Sequence, residues 1–252
     1  MTILCIETST SVCSAAICQN GQPVKQYICR EGSNHAQLLP RYIEQLLDEA
    51  RQGNMTLDAV ALSEGPGSYT GLRIGTATAK GLCYGLNVPL IPVPTLEVLC
   101  EAAREMYKGT MYHVQDGILV PMIDARRMEV YTDVQRDKGQ CTKDDVRGTM
   151  ENRARAVVVE SEESLWDVRR DDVPSTKGEI YYFGDGAAKC RPVLQGERWH
   201  YLPDVVPEAQ YMGRLAEAEN ALRLTGEKIA YYEPFYLKEF IAAPSHIKGL
   251  KS

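Results

Sequence analysis

Strand and helix signals alternate along the first hundred residues and begin again after them, which predicts a duplicated α/β architecture. Three observations carry this reading. Short apolar runs recur between turn signals, long stretches at helical spacing separate them, and Gly-rich turns follow two of the runs, at Gly65-Pro66-Gly67 and at Gly184-Asp185-Gly186.

The elements follow in order. Ile3–Ile6, Val12–Cys18 and Val24–Ile28 are apolar runs separated by the polar link Glu7–Ser11 and the turn Asn20-Gly21-Gln22-Pro23, a pattern that predicts a three-strand meander. A helix is expected from Asn34, with Gln37 completing a capping box. Leu39, Tyr42, Ile43, Leu46, Leu47 and Ala50 recur on one side of it, and Arg41, Glu44, Asp48 and Glu49 on the other. Ala59–Leu62 reads as a short buried strand, the glycine turn leads into a helix running to about Leu86, and Leu90–Val93 returns as a strand. Thr95 is expected to cap a helix through about Met106.

In the second half, Ile118–Ile123 and Met128–Val134 read as a hairpin around Asp124-Ala125-Arg126-Arg127, and Ala156–Val159 and Ile180–Phe183 as further strands. The segments 136–153 and 160–177 are polar and charged, as surface excursions are. Pro207 is expected to open a helix through about Leu224, with Ala209, Met212, Leu215, Ala216 and Leu222 at helical spacing.

Composition narrows the function classes. The 252 residues suffice for one large or two ordinary domains. A formal charge of -6 argues against a protein that grips nucleic acid alone, because that binding rests on Lys and Arg neutralising phosphates. The eight cysteines form no Cys-x-x-Cys pair and sit mostly in apolar segments, so buried free thiols are expected rather than a disulfide framework. The N-terminal residues lack a basic leader and no run approaches a membrane span, so a cytoplasmic protein is expected.

The most specific segment is Gly65-Pro66-Gly67-Ser68-Tyr69-Thr70-Gly71-Leu72-Arg73-Ile74-Gly75. Such a turn between strand and helix can aim N–H groups at an anion. It lacks the Gly-Lys-Ser/Thr ending of a P-loop and the Gly-x-Gly-x-x-Gly spacing of a dinucleotide fingerprint, so a turn for close helix packing stands beside the phosphate cradle as a reading. Gly71, Gly75 and Ala79 lie four residues apart, continued by Cys83, and form a smooth ridge that lets another helix approach; Gly81 and Gly85 supply a second flat strip. Each interior glycine costs a helix roughly 0.8–1 kcal/mol relative to alanine, so these need a packing reason, which the sheet below and a partner above would supply.

Taken together, Ile3-Leu4-Cys5-Ile6-Glu7-Thr8-Ser9-Thr10, the long glycine segment, Asp124-Ala125-Arg126 with Glu129-Val130-Tyr131, Gly184-Asp185-Gly186-Ala187 and Glu233-Pro234-Phe235-Tyr236-Leu237 resemble the TsaB (YeaZ) family, in the family's order and over nearly the whole chain. The resemblance implies two lobes of the actin/sugar-kinase/Hsp70 (ASKHA) type: residues 1–100 as the first, completed by a returning helix near 207–225, residues 101–206 as a smaller second, and 226–252 as a C-terminal extension.

It also implies a non-catalytic subunit that pairs with the catalytic paralogue TsaD, with the ATPase TsaE as a further partner and tRNA reached through the complex. No cofactor or metal is expected. The family's first strand usually ends in Asp, which in ATP-using relatives helps hold metal and phosphates; here Glu7 stands there, one methylene longer, and is expected to be a solvated turn carboxylate. TsaD carries a His-x-x-x-His metal pair where this chain has Thr95 and Leu99. His35, His113, His200 and His246 have no ligand partner at i+4.

The family's docking surface joins the first long helix to the helix after the glycine turn. Carried over, it comprises His35, Leu38, Leu39, Tyr42, Gly71, Leu72, Gly75, Ala79 and Cys83, with His35 expected to be partly exposed, and it is expected to support a homodimer when the partner is absent. Glu7, Asp124, Arg126 and Asp185 are the candidates for a cleft between lobes. The alternative is an ATP-dependent phosphotransferase of the same superfamily, with the turns at Gly65 and Gly184 as phosphate loops and Glu7 as its carboxylate. A metalloprotease fails for want of ligands.

Overall fold

Strand β1 (Thr2–Glu7) is buried along its whole length because it lies at the centre of a five-stranded sheet. The computed structural model describes residues 1–32, 34–136, 154–166, 178–218 and 223–238. Strands β2 (Cys13–Gln19) and β3 (Gln22–Cys29) run antiparallel to one side of β1, and β4 (Ala59–Gly65) and β5 (Leu90–Pro94) run parallel to it on the other, giving the order β3-β2-β1-β4-β5. The β2–β3 turn closes at Asn20 and Gly21, both with positive φ, as a tight two-residue hairpin requires.

Side chains alternate between the two faces of this sheet, and both faces are covered. Leu4 and Ile6 pack with Leu39, Ile43 and Leu46 of α1 (His35–Gln52) and with Ala79 and Cys83 of α2 (Tyr69–Leu86). Ile3 and Cys5 point the other way, to Val98 of α3 (Thr95–Met106). Helix α1 begins at the expected residue without the expected box: the Asn34 side chain makes no cap bond, and its carbonyl accepts from Gln37 and Leu38 at 3.0 Å instead. Thr95 is likewise not a cap. It is the first helical residue, and its Oγ1 accepts from the Gly65 N–H at 3.1 Å.

The second sheet is built from β6 (Ile118–Asp124), β7 (Glu129–Thr132), β8 (Gln135–Arg136), β9 (Arg155–Val158), β10 (Ile180–Phe183) and β11 (Trp199–Leu202). Its order is β11-β10-β6-β7-β9, with β8 also on β6. The single turn α4 (Glu163–Trp166) lies between β9 and β10. Helix α3 is common to both sheets: Val98 packs under the first, whereas Leu96, Leu99 and Cys100 pack with Leu119, Ile123 and Phe183 of the second. A boundary at residue 100 therefore falls inside a helix that both halves share.

Beyond β11, a 3-10 turn over Ala209–Tyr211 precedes α5 (Met212–Ala218), whose Met212, Leu215 and Ala216 return to the first sheet beside Ile3 and Cys5. The helix expected from Pro207 thus starts later. Its further course through Leu222 lies outside the described residues, as do most of the two polar segments. Helix α6 is one turn, Glu227–Ala230.

The segment 233–238 then straps the two halves together. Phe235 N–H donates to Glu64 O at 2.7 Å, Tyr236 packs on Tyr69 with centroids 5.0 Å apart, and Lys238 pairs with Glu129 on β7. Two mixed sheets flanked by helices fit the expected actin/sugar-kinase/Hsp70 type of fold. No helix among the described residues is long and apolar enough to cross a membrane.

Candidate functional site

The glycine turn lies flat on the end of β1. Ser68 N–H donates to Ser9 O at 2.6 Å, Thr8 Oγ1 donates to Gly71 O at 2.9 Å, and a Cβ on Gly67 would come within 2.8 Å of the Ser9 Cβ. Four of the turn's N–H groups are engaged inside the protein: Gly65 to Thr95, Ser68 to Ser9, and Gly71 and Leu72 to the Ser68 side chain and carbonyl. A phosphate cradle needs such donors aimed outward. This turn uses its glycines for close approach instead.

Glu7 sits beneath that turn and is fully buried, which corrects the expectation of a solvated carboxylate. Its Oε1 accepts from the Ser9 N–H at 2.6 Å. Its Oε2 and the hydroxyls of Ser9 and Ser63 have no hydrogen-bond partner among the described residues. Burial raises the Glu7 pKa to about 7 against the pull of the neighbouring serine groups and the Thr8 backbone. A metal–nucleotide group does not fit here, because one sealed carboxyl with a raised pKa neither faces solvent nor carries a full charge at neutral pH. Among the described residues, no three His, Cys, Asp or Glu side chains gather to hold a metal. Thr95 and Leu99 are both fully buried.

The second group of cleft candidates forms a turn of its own. Asp124 N–H donates to Asp185 Oδ1 at 2.9 Å, and Arg126 N–H donates to Asp124 Oδ1 at 3.0 Å. Lys189, which the sequence reading missed, pairs with Asp124 and donates to Glu129 O at 2.7 Å. Burial raises the Asp185 pKa, against the backbone N–H of Asp124. Lys189's place four residues after Asp185 was the one local hint of this cluster.

The expected docking residues divide sharply. Leu39, Gly71, Leu72, Gly75, Ala79 and Cys83 are buried in their own lobe. A Cβ on Gly71 would collide with Thr8 O, and one on Gly75 with Thr8 Oγ1 and, at 3.0 Å, Leu62 Cδ1. The ridge therefore faces its own sheet, and its assignment to a partner is corrected. His35 is corrected too: it is buried, with Nε2 3.2 Å from Val12 O. Leu38 and Tyr42 remain half-buried, and Tyr42 stacks on Tyr27 at 5.8 Å.

The outward face of α2 carries a different small-residue ridge. Ala77, Gly81 and Gly85 lie four apart and are all exposed, and an added Cβ at Gly81 or Gly85 would meet nothing within 4 Å. Beside them Tyr84 is 91% exposed and Leu86 40%. Sequence reading had noted Gly81 and Gly85 but missed Ala77, the residue that extends the strip by a turn.

A family model described as TsaD, tRNA N6-adenosine threonylcarbamoyltransferase, matches residues 30–239. The tRNA threonylcarbamoyladenosine biosynthesis protein TsaB of Haemophilus influenzae is 34% identical over 139 residues, 55% of this chain and 56% of that protein. The TsaB protein of Bacillus subtilis is 33% identical over 138 residues, 55% and 56% of the two chains. The chain thus aligns with little more than half the length of these curated relatives. A solved structure from Pseudomonas aeruginosa, of an uncharacterised protein similar to peptidase YeaZ, superimposes with a TM-score of 0.70 at 24% identity, covering 94% of this chain and 99% of that one.

Proposed function

The chain belongs to the family described by the TsaD model and, within it, to the TsaB/YeaZ group, and on that premise we propose that it is a non-catalytic subunit in threonylcarbamoyladenosine modification of tRNA. In this reading it docks on TsaD, and the transfer of threonylcarbamoyl to the adenosine beside the anticodon is carried out by that partner. TsaE is the further partner, tRNA is met through the complex, and a homodimer forms when TsaD is absent.

One observation carries the docking role: the outward strip Ala77–Gly81–Gly85 with Tyr84 standing bare beside it. Small residues at four-residue spacing admit a partner helix at close range, and an exposed aromatic flanking them supplies an anchor. The non-catalytic role rests on Thr95 and Leu99, whose side chains are a neutral hydroxyl and a hydrocarbon, both enclosed in the core. The phosphotransferase alternative is weakened by the engaged donors of the glycine turn and by the sealed Glu7.

The test is Gly81→Glu. Its Cβ enters open space and glutamate favours the helix, so the chain should keep its fold by circular dichroism and thermal melting. A standard interface buries roughly 800 Å² per partner and excludes water at its centre, so a charge there should weaken TsaD binding by at least about tenfold in titration calorimetry. A folded Gly81→Glu that binds TsaD with unchanged affinity removes the outward face of α2 from the interface. Threonylcarbamoyl transfer by the wild-type chain alone, retained through repurification, overturns the non-catalytic reading.

A further inference from the structure

A cavity of about 370 Å³ opens beside β10 and β11, and its lining shares no residue with the glycine turn, the Asp124–Asp185 cluster or the α2 strip. One wall is aromatic. Tyr181 and His200 are register partners on the two parallel strands, their ring centroids 5.3 Å apart and their planes tilted by 31°. Tyr112 stands edge-on to Tyr181, at 6.2 Å and 87°. Gly117 fixes this wall in place, because a Cβ there would come within 2.6 Å of Tyr181 Cδ2, and only glycine lets the ring lie so close to the backbone.

The rest of the lining is Met111, His113, Gly117 and two carboxylates, Asp116 and Glu179. Asp116 and Glu179 are both exposed there, and among the described residues no lysine or arginine lines the cavity. Arg198, one residue before β11, turns its guanidinium to Gly178 O instead, at 2.9 Å from Nε. Glu179 is oriented by His200, whose Nε2 meets its Oε2. The negative field reaches the wall: the Tyr181 phenol is raised first by burial and then by the charge of Glu179, to which Asp116 adds.

We propose that this cavity is a binding site for a guanidinium group, stacked on the half-buried rings of Tyr112 and His200, which the buried Tyr181 backs, and paired with Glu179 and Asp116. A planar, weakly hydrated cation suits both features at once, since guanidinium stacks on aromatic faces and presents its N–H fork to carboxylates. A compact ammonium keeps more of its water, and an anion such as a nucleotide would meet two carboxylates with no lysine or arginine in the lining to offset them. The group could arrive on an arginine side chain of a protein or on a small free compound, and the chemistry of capture is the same.

The experiment titrates the full chain with methylguanidinium chloride and with methylurea, its uncharged shape-mate, and follows the Tyr and His ring resonances by NMR. Saturable shifts of Tyr112, Tyr181 and His200 are expected with methylguanidinium only. Tyr112→Leu and Glu179→Gln should each weaken binding by about 5-fold, as the loss of a cation–π face or of one ion-pair partner does. Tyr112 is only partly buried, so that variant should remain folded even if loss of the His200 contact unsettles Glu179→Gln.

Equal binding of methylurea, or unchanged affinity in a folded Tyr112→Leu, overturns the proposal. A blocked Gly-Arg-Gly peptide identifies the source: affinity at least about tenfold above methylguanidinium points to a protein arginine, and equal affinity to a free guanidinium compound. The site is independent of the α2 strip, so loss of TsaD binding in Gly81→Glu leaves these shifts unchanged.

Discussion

Helix α2 carries two small-residue ridges with the same spacing and opposite fates. Gly71, Gly75, Ala79 and Cys83 lie against their own sheet, where the missing side chains of Gly71 and Gly75 let the helix settle on Thr8 and Leu62. Ala77, Gly81 and Gly85, two residues out of phase, are exposed, and a Cβ at Gly81 or Gly85 would meet nothing within 4 Å. Small residues at i, i+4 therefore state that something comes close without stating what. The difference is set by long-range partners, chiefly the turn at Thr8–Ser9, which folds under the helix from far upstream.

The largest expected effect breaks the inner ridge. Gly71→Ala places a methyl into the Thr8 carbonyl and Gly75→Glu adds a buried charge, so each should cost roughly 4 kcal/mol or more, read as loss of the cooperative melting transition. If Gly75→Glu melts like wild type, the inner ridge is not sealed against the sheet.

Glu7, beneath the same ridge, gives the next effect. Its pKa rises from 4.5 to about 7 on folding, so the native state binds the extra proton and stability falls as pH climbs from about 4.5 to about 7, then levels off. The loss sums to about 3 kcal/mol at most. Glu7→Gln keeps an acceptor for the Ser9 N–H, so it should flatten this slope and be more stable than wild type at pH 8 in urea titrations. An unchanged slope would place the protonation elsewhere.

Thr95→Val should cost about 1–3 kcal/mol, because it strands the buried Gly65 N–H while preserving shape. Smallest and opposite in sign, Gly81→Ala on the outer ridge should stabilise the isolated chain by about 0.5–1 kcal/mol, seen as a raised urea midpoint. A destabilised Gly81→Ala would mean that this face is not open.

Sequence periodicity located β1–β7, β9 and β10 and the three long helices to within a few residues, because each carries an apolar pattern strong enough to read locally. It missed β8, which is two residues long, and β11, whose Trp199-His200-Tyr201-Leu202 is recognisable as a strand only beside β10. The candidate site was less legible. Glu7 and His35 read as turn and cap residues, yet Glu7 is fully buried beside Ser63 of β4 and His35 Nε2 lies against the carbonyl of Val12, placements that depend on how distant segments fold back. The inner and outer ridges were both visible as spacings, and only the structure assigns each its face.

The strap at 233–238 gives the molecule an order of assembly in time. Glu64 and Tyr69 lie at the mouth of the glycine turn and receive Phe235 and Tyr236 from near the last described residue. On the ribosome, the glycine turn is made long before the segment that covers it, so its last contact closes only after the strands of both sheets have been synthesised.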